Sequence, residues 1–145
     1  MKYYSNNLEE TGKIAKDFAS TLVGFTDRAT VVGLSGNLGA GKTTFTQALA
    51  KAFGVTETVN SPTFVIEKIY DLENQKFEKL IHIDAYRLES SSELLHLGWK
   101  EIISDPKNII LIEWPEKVAD IMPEHIKINL KNLEDEGSRE IEVVD

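Results

Sequence analysis

The sequence predicts an α/β domain, a three-layer sandwich whose central sheet mixes parallel and antiparallel strands. Three observations predict it. A β-branched run, Thr30 to Ser35, leads through a glycine-rich turn into a helical stretch that reaches Phe53. Two later apolar runs, Leu80-Ile81-His82-Ile83 and Ile109-Ile110-Leu111-Ile112, have the length of buried strands. The C-terminal part changes period. Ile126, Ile128 and Leu130, and later Ile141 and Val143, alternate with polar residues on either side of a turn at Glu134 to Ser138, the pattern of an antiparallel hairpin.

The elements follow in order. Lys2 to Ser5 is a short first strand. Asn7 and Glu10 have the spacing of a helix-capping pair, with Asn in place of Ser or Thr. Behind them Leu8, Ile14, Ala15, Phe18, Ala19 and Leu22 recur at helical spacing. Thr30 to Ser35 is the second strand, and the helix after it has Gly54 as its stop. Pro62 marks a loop. Thr63 to Tyr70 and Phe77 to Ile83 are β-like and joined by Asp71 to Lys76 as a hairpin connection. Ser90 to Leu97 is a short helix ended by Gly98. Asn108 to Ile112 is a buried strand, and Glu116 to Ile121 is a helical turn or two ended by Pro123.

With 145 residues, one domain spanning 1–145 is expected. A chain of this size buries about 68–70% of its unfolded surface and needs no covalent staples. It has no cysteine, which excludes a disulfide scaffold, a thiolate zinc site and a cysteine nucleophile. The polar N-terminus lacks the apolar centre of a secretion signal, and no apolar run has the length of a bilayer crossing, so a cytoplasmic protein is expected. The net charge of −8 is unevenly spread. Residues 1–60 hold six Lys/Arg and five Asp/Glu, and residues 61–145 hold ten and nineteen. That balance argues against unaided RNA or DNA binding and places any anionic ligand in the first part of the chain.

Gly36-Asn37-Leu38-Gly39-Ala40-Gly41-Lys42-Thr43 fits the phosphate-loop pattern G-x4-G-K-[ST], and with Thr44 it forms the candidate nucleotide-binding segment ahead of the helical stretch. Glycines let the backbone wrap a phosphate without Cβ clashes. Successive backbone N–H groups form an anion-binding nest, and the helix that follows adds its partial positive charge. Lys42 reaches the β and γ phosphates of a nucleotide, and the Thr43 hydroxyl serves magnesium. A plain strand-to-helix turn requires neither a lysine nor a hydroxyl directly after its glycines. The fold is therefore expected to be of the P-loop NTPase type, with ATP and Mg2+ as ligands.

Such a nucleotidase also needs an acid at the end of a neighbouring buried strand. Asp84 and Glu113 each end an apolar run, where open α/β sheets place their ligand crevice. Residue chemistry leaves open which of them holds magnesium and which orients water. Ser61 and Thr63, in Asn60-Ser61-Pro62-Thr63-Phe64, are candidates for a hydrogen bond to a γ-phosphate or to the metal shell, as in a switch segment. Trp114 is a core-edge residue or a stacking surface. His82 reads as a structural strand residue, and His82, His96 and His125 lack metal-ligand spacing. The chain has neither an N-K-x-D segment nor a D-x-x-G switch, which excludes a guanine-selective GTPase. It contains three arginines, Arg28, Arg87 and Arg139, and no insert long enough for a large lid, which disfavours a small-metabolite kinase. A nucleotide-dependent binding module with incidental turnover is the other alternative. Two strand-end acids are more than such a module needs.

Four motifs occur in order: Leu38-Gly39-Ala40-Gly41-Lys42-Thr43-Thr44-Phe45, Ser61-Pro62-Thr63-Phe64, His82-x-Asp84-x-Tyr86-Arg87 and Ile112-Glu113-Trp114-Pro115-Glu116. This set resembles the TsaE (YjeE) family, the ATPase component of bacterial threonylcarbamoyl-adenosine tRNA modification, and spans nearly the whole chain. The few arginines available in cis make slow turnover by the chain alone the expectation, and the resemblance implies a compact, magnesium-dependent P-loop ATPase. It implies the TsaB and TsaD proteins as partners, with tRNA reached only through that assembly. It implies that Thr43 and Glu113 serve magnesium and that Asp84 belongs to the same catalytic cluster as Lys42. It further implies a nucleotide contact at Thr11, from a T-x-x-x-A-x-x-x-A segment, and a place near the base for Arg139, from a late Gly-Arg pair. Gly12 directly follows Thr11 here, and Ser138 is inserted between Gly137 and Arg139.

Overall fold

A computed structural model describes residues 1–37, 39–57, 67–73, 75–134 and 137–144. Leu38 of the glycine-rich loop, the segment containing Ser61, Pro62, Thr63 and Phe64, and the first part of the strand expected from Thr63 lie outside these residues. The elements are β1 (Lys2–Ser5), α1 (Leu8–Thr21), β2 (Thr30–Ser35), α2 (Lys42–Ala52), β3 (Glu67–Asp71), β4 (Lys79–Asp84), α3 (Ser91–His96), α4 (Trp99–Ser104), β5 (Asn108–Glu113), a 3-10 helix (Pro115–Ile121), β6 (Ile126–Asn132) and β7 (Arg139–Val144).

Among the described residues the strands form one sheet in the order β1-β7-β6-β2-β5-β4-β3. β6, β2, β5 and β4 run parallel, and β3, β7 and β1 are antiparallel additions at the two sides. The mixed α/β sheet and the closing β6–β7 hairpin are as the sequence predicts. Alternate residues of the central strands face opposite layers, because the side-chain period of a strand is two. Val32, Leu34, Leu80, Ile109 and Leu111 join one buried cluster with Ala15, Phe18, Phe45 and Leu49 of α1 and α2. Val31, Ile81, Ile83, Ile110 and Ile112 join another with Leu94, Trp99 and Val118 of α3, α4 and the 3-10 helix. Helices thus cover both faces, giving the three layers. Each large apolar side chain buried in these layers contributes about 1.5–3 kcal/mol.

Local chemistry sets the ends of the elements. Asn7 caps α1, its side chain accepting from the Glu10 N–H at 2.8 Å. The Glu10 carboxylate reaches back to the N–H of Asn6 at 2.7 Å, one residue before the usual partner of a capping box. One helix was not predicted. Gly98 ends α3 as expected, but its left-handed φ of 86° also turns the chain straight into α4. Trp99, Ile102 and Ile103 of α4 then bury onto the sheet. Trp99 is anchored further by its indole N–H on the carbonyl of Ile121 at 3.2 Å.

Candidate functional site

β2 delivers the chain to the C-terminal edge of the parallel strands, and the glycine-rich loop turns it there into α2. Gly41 has a φ of 93° and carries the loop into Lys42, the first helical residue. A Cβ at Gly41 would strike the guanidinium of Arg139, and one at Gly36 would lie 2.5 Å from the carbonyl oxygen of Leu130. The backbone contact requires glycine at Gly36 on steric grounds, and the left-handed φ requires it at Gly41, where the long Arg139 side chain could give way. The β6–β7 hairpin braces the loop from outside, with the Asn132 side-chain amide donating to the Gly39 carbonyl at 2.9 Å.

Lys42 is folded into its own loop. Its ammonium donates to the carbonyls of Gly36 at 2.6 Å and Asn37 at 2.9 Å. It also lies 4.0 Å from the centre of the Trp114 ring. Burial lowers its pKa below the ordinary lysine value, and the charges of Glu113, Glu116 and Asp84 oppose that shift. Three carboxylates thus share the field of this one ammonium.

The register of the sheet aligns the strand-end acids. Leu34, Glu113 and Asp84 lie side by side across β2, β5 and β4. Alternation directs Glu113 and Asp84 toward α2, the same layer as Leu34. Glu113 is buried. One of its oxygens, Oε1, accepts from the Thr43 hydroxyl at 3.2 Å, and the other, Oε2, pairs with His82 Nε2 at 2.6 Å. Asp84 is less buried, and its Oδ1 accepts from the Tyr86 N–H at 3.0 Å. Lys42, Thr43, Asp84 and Glu113, far apart in sequence, are therefore brought to one place.

The two outlying candidates converge on the other side of the loop. Ser5 of β1 sits opposite Arg139 of β7, and the Ser5 hydroxyl is 2.7 Å from that of Thr11. Thr11 is buried and also donates to the Asn7 carbonyl at 3.2 Å. The guanidinium of Arg139 lies against Gly41, and its Nε and Nη1 are buried without a hydrogen-bond partner among the described residues. Its charge thus faces the glycine-rich loop.

Two participants, His82 and Glu116, were not singled out by sequence reasoning, and a third, Trp114, was left between a core edge and a stacking surface. His82 is bonded to Glu113. Glu116 accepts from the Ser35 hydroxyl at 3.1 Å and acts on Lys42 through space. Trp114 stacks on the half-exposed Tyr86 at 5.0 Å between ring centres, with a left-handed φ of 61° that no other described non-glycine residue adopts. A residue held in this region costs about 1–3 kcal/mol, and such strain collects at functional sites. Parity was the available signal for His82: two residues before Asp84, it must share that acid's face.

The donor set suits a nucleotide and a hard cation. Unpartnered guanidinium nitrogens, an ammonium resting on backbone carbonyls and a helix N-terminus offer positive charge to an anion. Thr43, Glu113 and Asp84 offer oxygen, the ligand type magnesium takes. No group of three or more His, Asp or Glu among the described residues is arranged to hold a metal by itself.

Comparison with known proteins places this geometry in a family. A family model described as "Threonylcarbamoyl adenosine biosynthesis protein TsaE" matches residues 5–141. A Bacillus subtilis protein named "tRNA threonylcarbamoyladenosine biosynthesis protein TsaE" is 40% identical over 142 residues, covering 97% of this chain and 83% of the relative. One of the same name from Treponema pallidum is 38% identical over 125 residues, covering 85% and 88%. The crystal structure of Bacillus subtilis YdiB superposes with a TM-score of 0.74 at 34% identity, covering 97% of this chain and 82% of that one. A match along nearly the whole length, in sequence and in fold, establishes that the chain belongs to the TsaE family.

Proposed function

We propose that the chain binds ATP with magnesium in the glycine-rich loop and hydrolyses it in support of threonylcarbamoyl modification of adenosine in tRNA, acting with the TsaB and TsaD proteins. The observation that carries this reading is the bond between Thr43 and Glu113 beside Lys42. It joins the first turn of α2 to the end of β5, the arrangement in which P-loop nucleotidases hold magnesium between the loop hydroxyl and a strand-end acid. The names of the relatives supply the pathway.

In this reading each residue has a task. The loop amides and the N-terminus of α2 receive the phosphates. Lys42 exchanges the Gly36 and Asn37 carbonyls for phosphate oxygens. Arg139 adds its charge from the hairpin side. Thr43 and Glu113 would hold magnesium, which when bound neutralises charge on the phosphates. Asp84, aligned with Glu113 on the next strand, is placed to orient the attacking water. A cation supplied in trans accelerates other P-loop enzymes by ~10³–10⁵-fold. With three arginines in the chain, and Arg139 against the loop, turnover alone is expected to be slow and to rise with partners. No described helix is long and apolar enough to cross a membrane.

Calorimetric titration of ATP and ADP, with and without magnesium, tests the ligand. Single-turnover hydrolysis with and without TsaB and TsaD tests the reaction. Nucleotide binding that ignores magnesium, or fast turnover indifferent to the partners, contradicts the proposal.

A further inference from the structure

We propose that His82 is a positioning residue for Glu113, fixing which carboxylate oxygen faces Thr43 and the magnesium. The inference builds on the reading of Glu113 as a magnesium-serving acid. Two cross-strand rows define its surroundings. Val32, Leu111 and His82 form one, and Leu34, Glu113 and Asp84 form the next, toward the site. Leu80 precedes His82 on the same face and joins the apolar cluster under α2. His82 is fully buried at a position that its neighbours treat as core.

A core position of this kind is best filled by an apolar side chain. Histidine there leaves Nδ1 buried with no partner among the described residues, which costs stability. Replacing a buried polar pair by apolar residues is often neutral or stabilising, so packing does not explain the choice. The pairing with Glu113 does. A carboxylate oxygen only accepts, so Nε2 carries the proton and donates to Oε2 at 2.6 Å. With Oε2 engaged, the carboxylate cannot rotate freely, and Oε1 is left facing Thr43 at 3.2 Å. Outer partners of metal ligands act in this way, and losing one typically costs about 10–100-fold in metal affinity or activity.

The test uses the full chain with five forms: wild type, His82→Leu, His82→Gln, Glu113→Gln and the double variant His82→Leu/Glu113→Gln. Glutamine keeps a donor near the position of Nε2. The readouts are ADP affinity with and without magnesium, by calorimetry, and the magnesium dependence of single-turnover ATP hydrolysis with TsaB and TsaD present. His82→Leu should keep its magnesium-free ADP affinity within about twofold while needing about 10–100-fold more magnesium for half-saturation. His82→Gln should recover most of that loss. In the Glu113→Gln background His82→Leu should add nothing, because the interaction it removes is already altered. Should His82→Leu fail to fold, His82→Asn, whose shorter amide falls away from Glu113, takes its place. A magnesium half-saturation unchanged in His82→Leu overturns the proposal. So does a His82→Gln variant as impaired as His82→Leu, or a full additional loss in the double variant. A wild type whose ADP affinity ignores magnesium overturns the magnesium reading itself.

Discussion

The two faces of the central sheet are built from the same strands and end differently. Toward α3 and α4, Ile81, Ile83, Ile110 and Ile112 stay apolar to the ends of β4 and β5. Toward α1 and α2, the strands are apolar only as far as Leu80 and Leu111, and then His82, Asp84 and Glu113 take over beside Lys42 and Thr43. Since neighbouring residues on a strand face opposite ways, one step along the chain moves from packing to chemistry. Substitutions one residue apart should therefore separate stability from nucleotide handling.

The largest effect is expected on the chemical face. Lys42→Ala should weaken ATP binding by about 3–5 kcal/mol, by analogy with breaking a buried charge pair, with little change in thermal stability. The free protein loses there two carbonyl contacts, an indole contact and the attraction of three carboxylates, and it is relieved of a desolvated ammonium. Calorimetry of ATP binding by the folded variant checks it. The opposite face should answer in the opposite way. Ile110 is fully buried. Ile110→Ala should destabilise the fold by about 2–5 kcal/mol through lost burial and a residual cavity. Its ADP affinity below the melting transition should match wild type. Urea unfolding together with an ADP titration makes that check.

A third contrast lies within the chemical face. Glu113→Gln and Asp84→Asn should each slow single-turnover hydrolysis by about 10²–10³-fold, the range seen when one group that stabilises or positions the transition state is removed. At saturating magnesium, ATP affinity should hold or rise, since a negative charge beside the phosphates has gone. Equal losses of binding and turnover would move either acid from hydrolysis to simple binding.

The sequence made some of this legible and hid the rest for physical reasons. The path from β2 through Gly36–Thr43 into α2 is local, so apolar run, glycines and helix period all appear in one stretch. The β6–β7 hairpin is equally local. The place of β1 beside β7 depends on pairing between Lys2 and Glu142, and no local pattern encodes that. α4 was missed because six residues after a glycine carry too few turns for a period to show. His82 read as structural because its partner lies 31 residues away and meets it only once β4 and β5 are neighbours. Trp114 was left between core edge and stacking surface. The structure gives it both: it packs against the cluster under α3 and α4, and its ring meets Lys42 and Tyr86.

The smallest expected effects come from the two tryptophans, one deep in the cluster under α3 and α4 and one at its edge beside Lys42. Trp99 is buried and donates to the Ile121 carbonyl. Trp99→Phe should lower stability, since the ring shrinks and the Ile121 carbonyl loses its donor, and it should leave ADP affinity unchanged. Trp114 is partly exposed, in strained backbone, over the ammonium of Lys42. A cation held over an indole gains about 0.5–2 kcal/mol, more as water is excluded. In Trp114→Ala that contact and its cover are lost, and ADP affinity should shift by only a few-fold. Trp114→Phe keeps a ring and should shift it less. The Trp99→Phe protein adds a direct readout, because its remaining indole reports on Lys42. If the ammonium turns from the Gly36 and Asn37 carbonyls to phosphate, Trp114 fluorescence should change on adding ADP and stay constant in the Lys42→Ala background. A signal that survives Lys42→Ala would mean that the indole senses the nucleotide by another route and that its place over Lys42 has no part in binding.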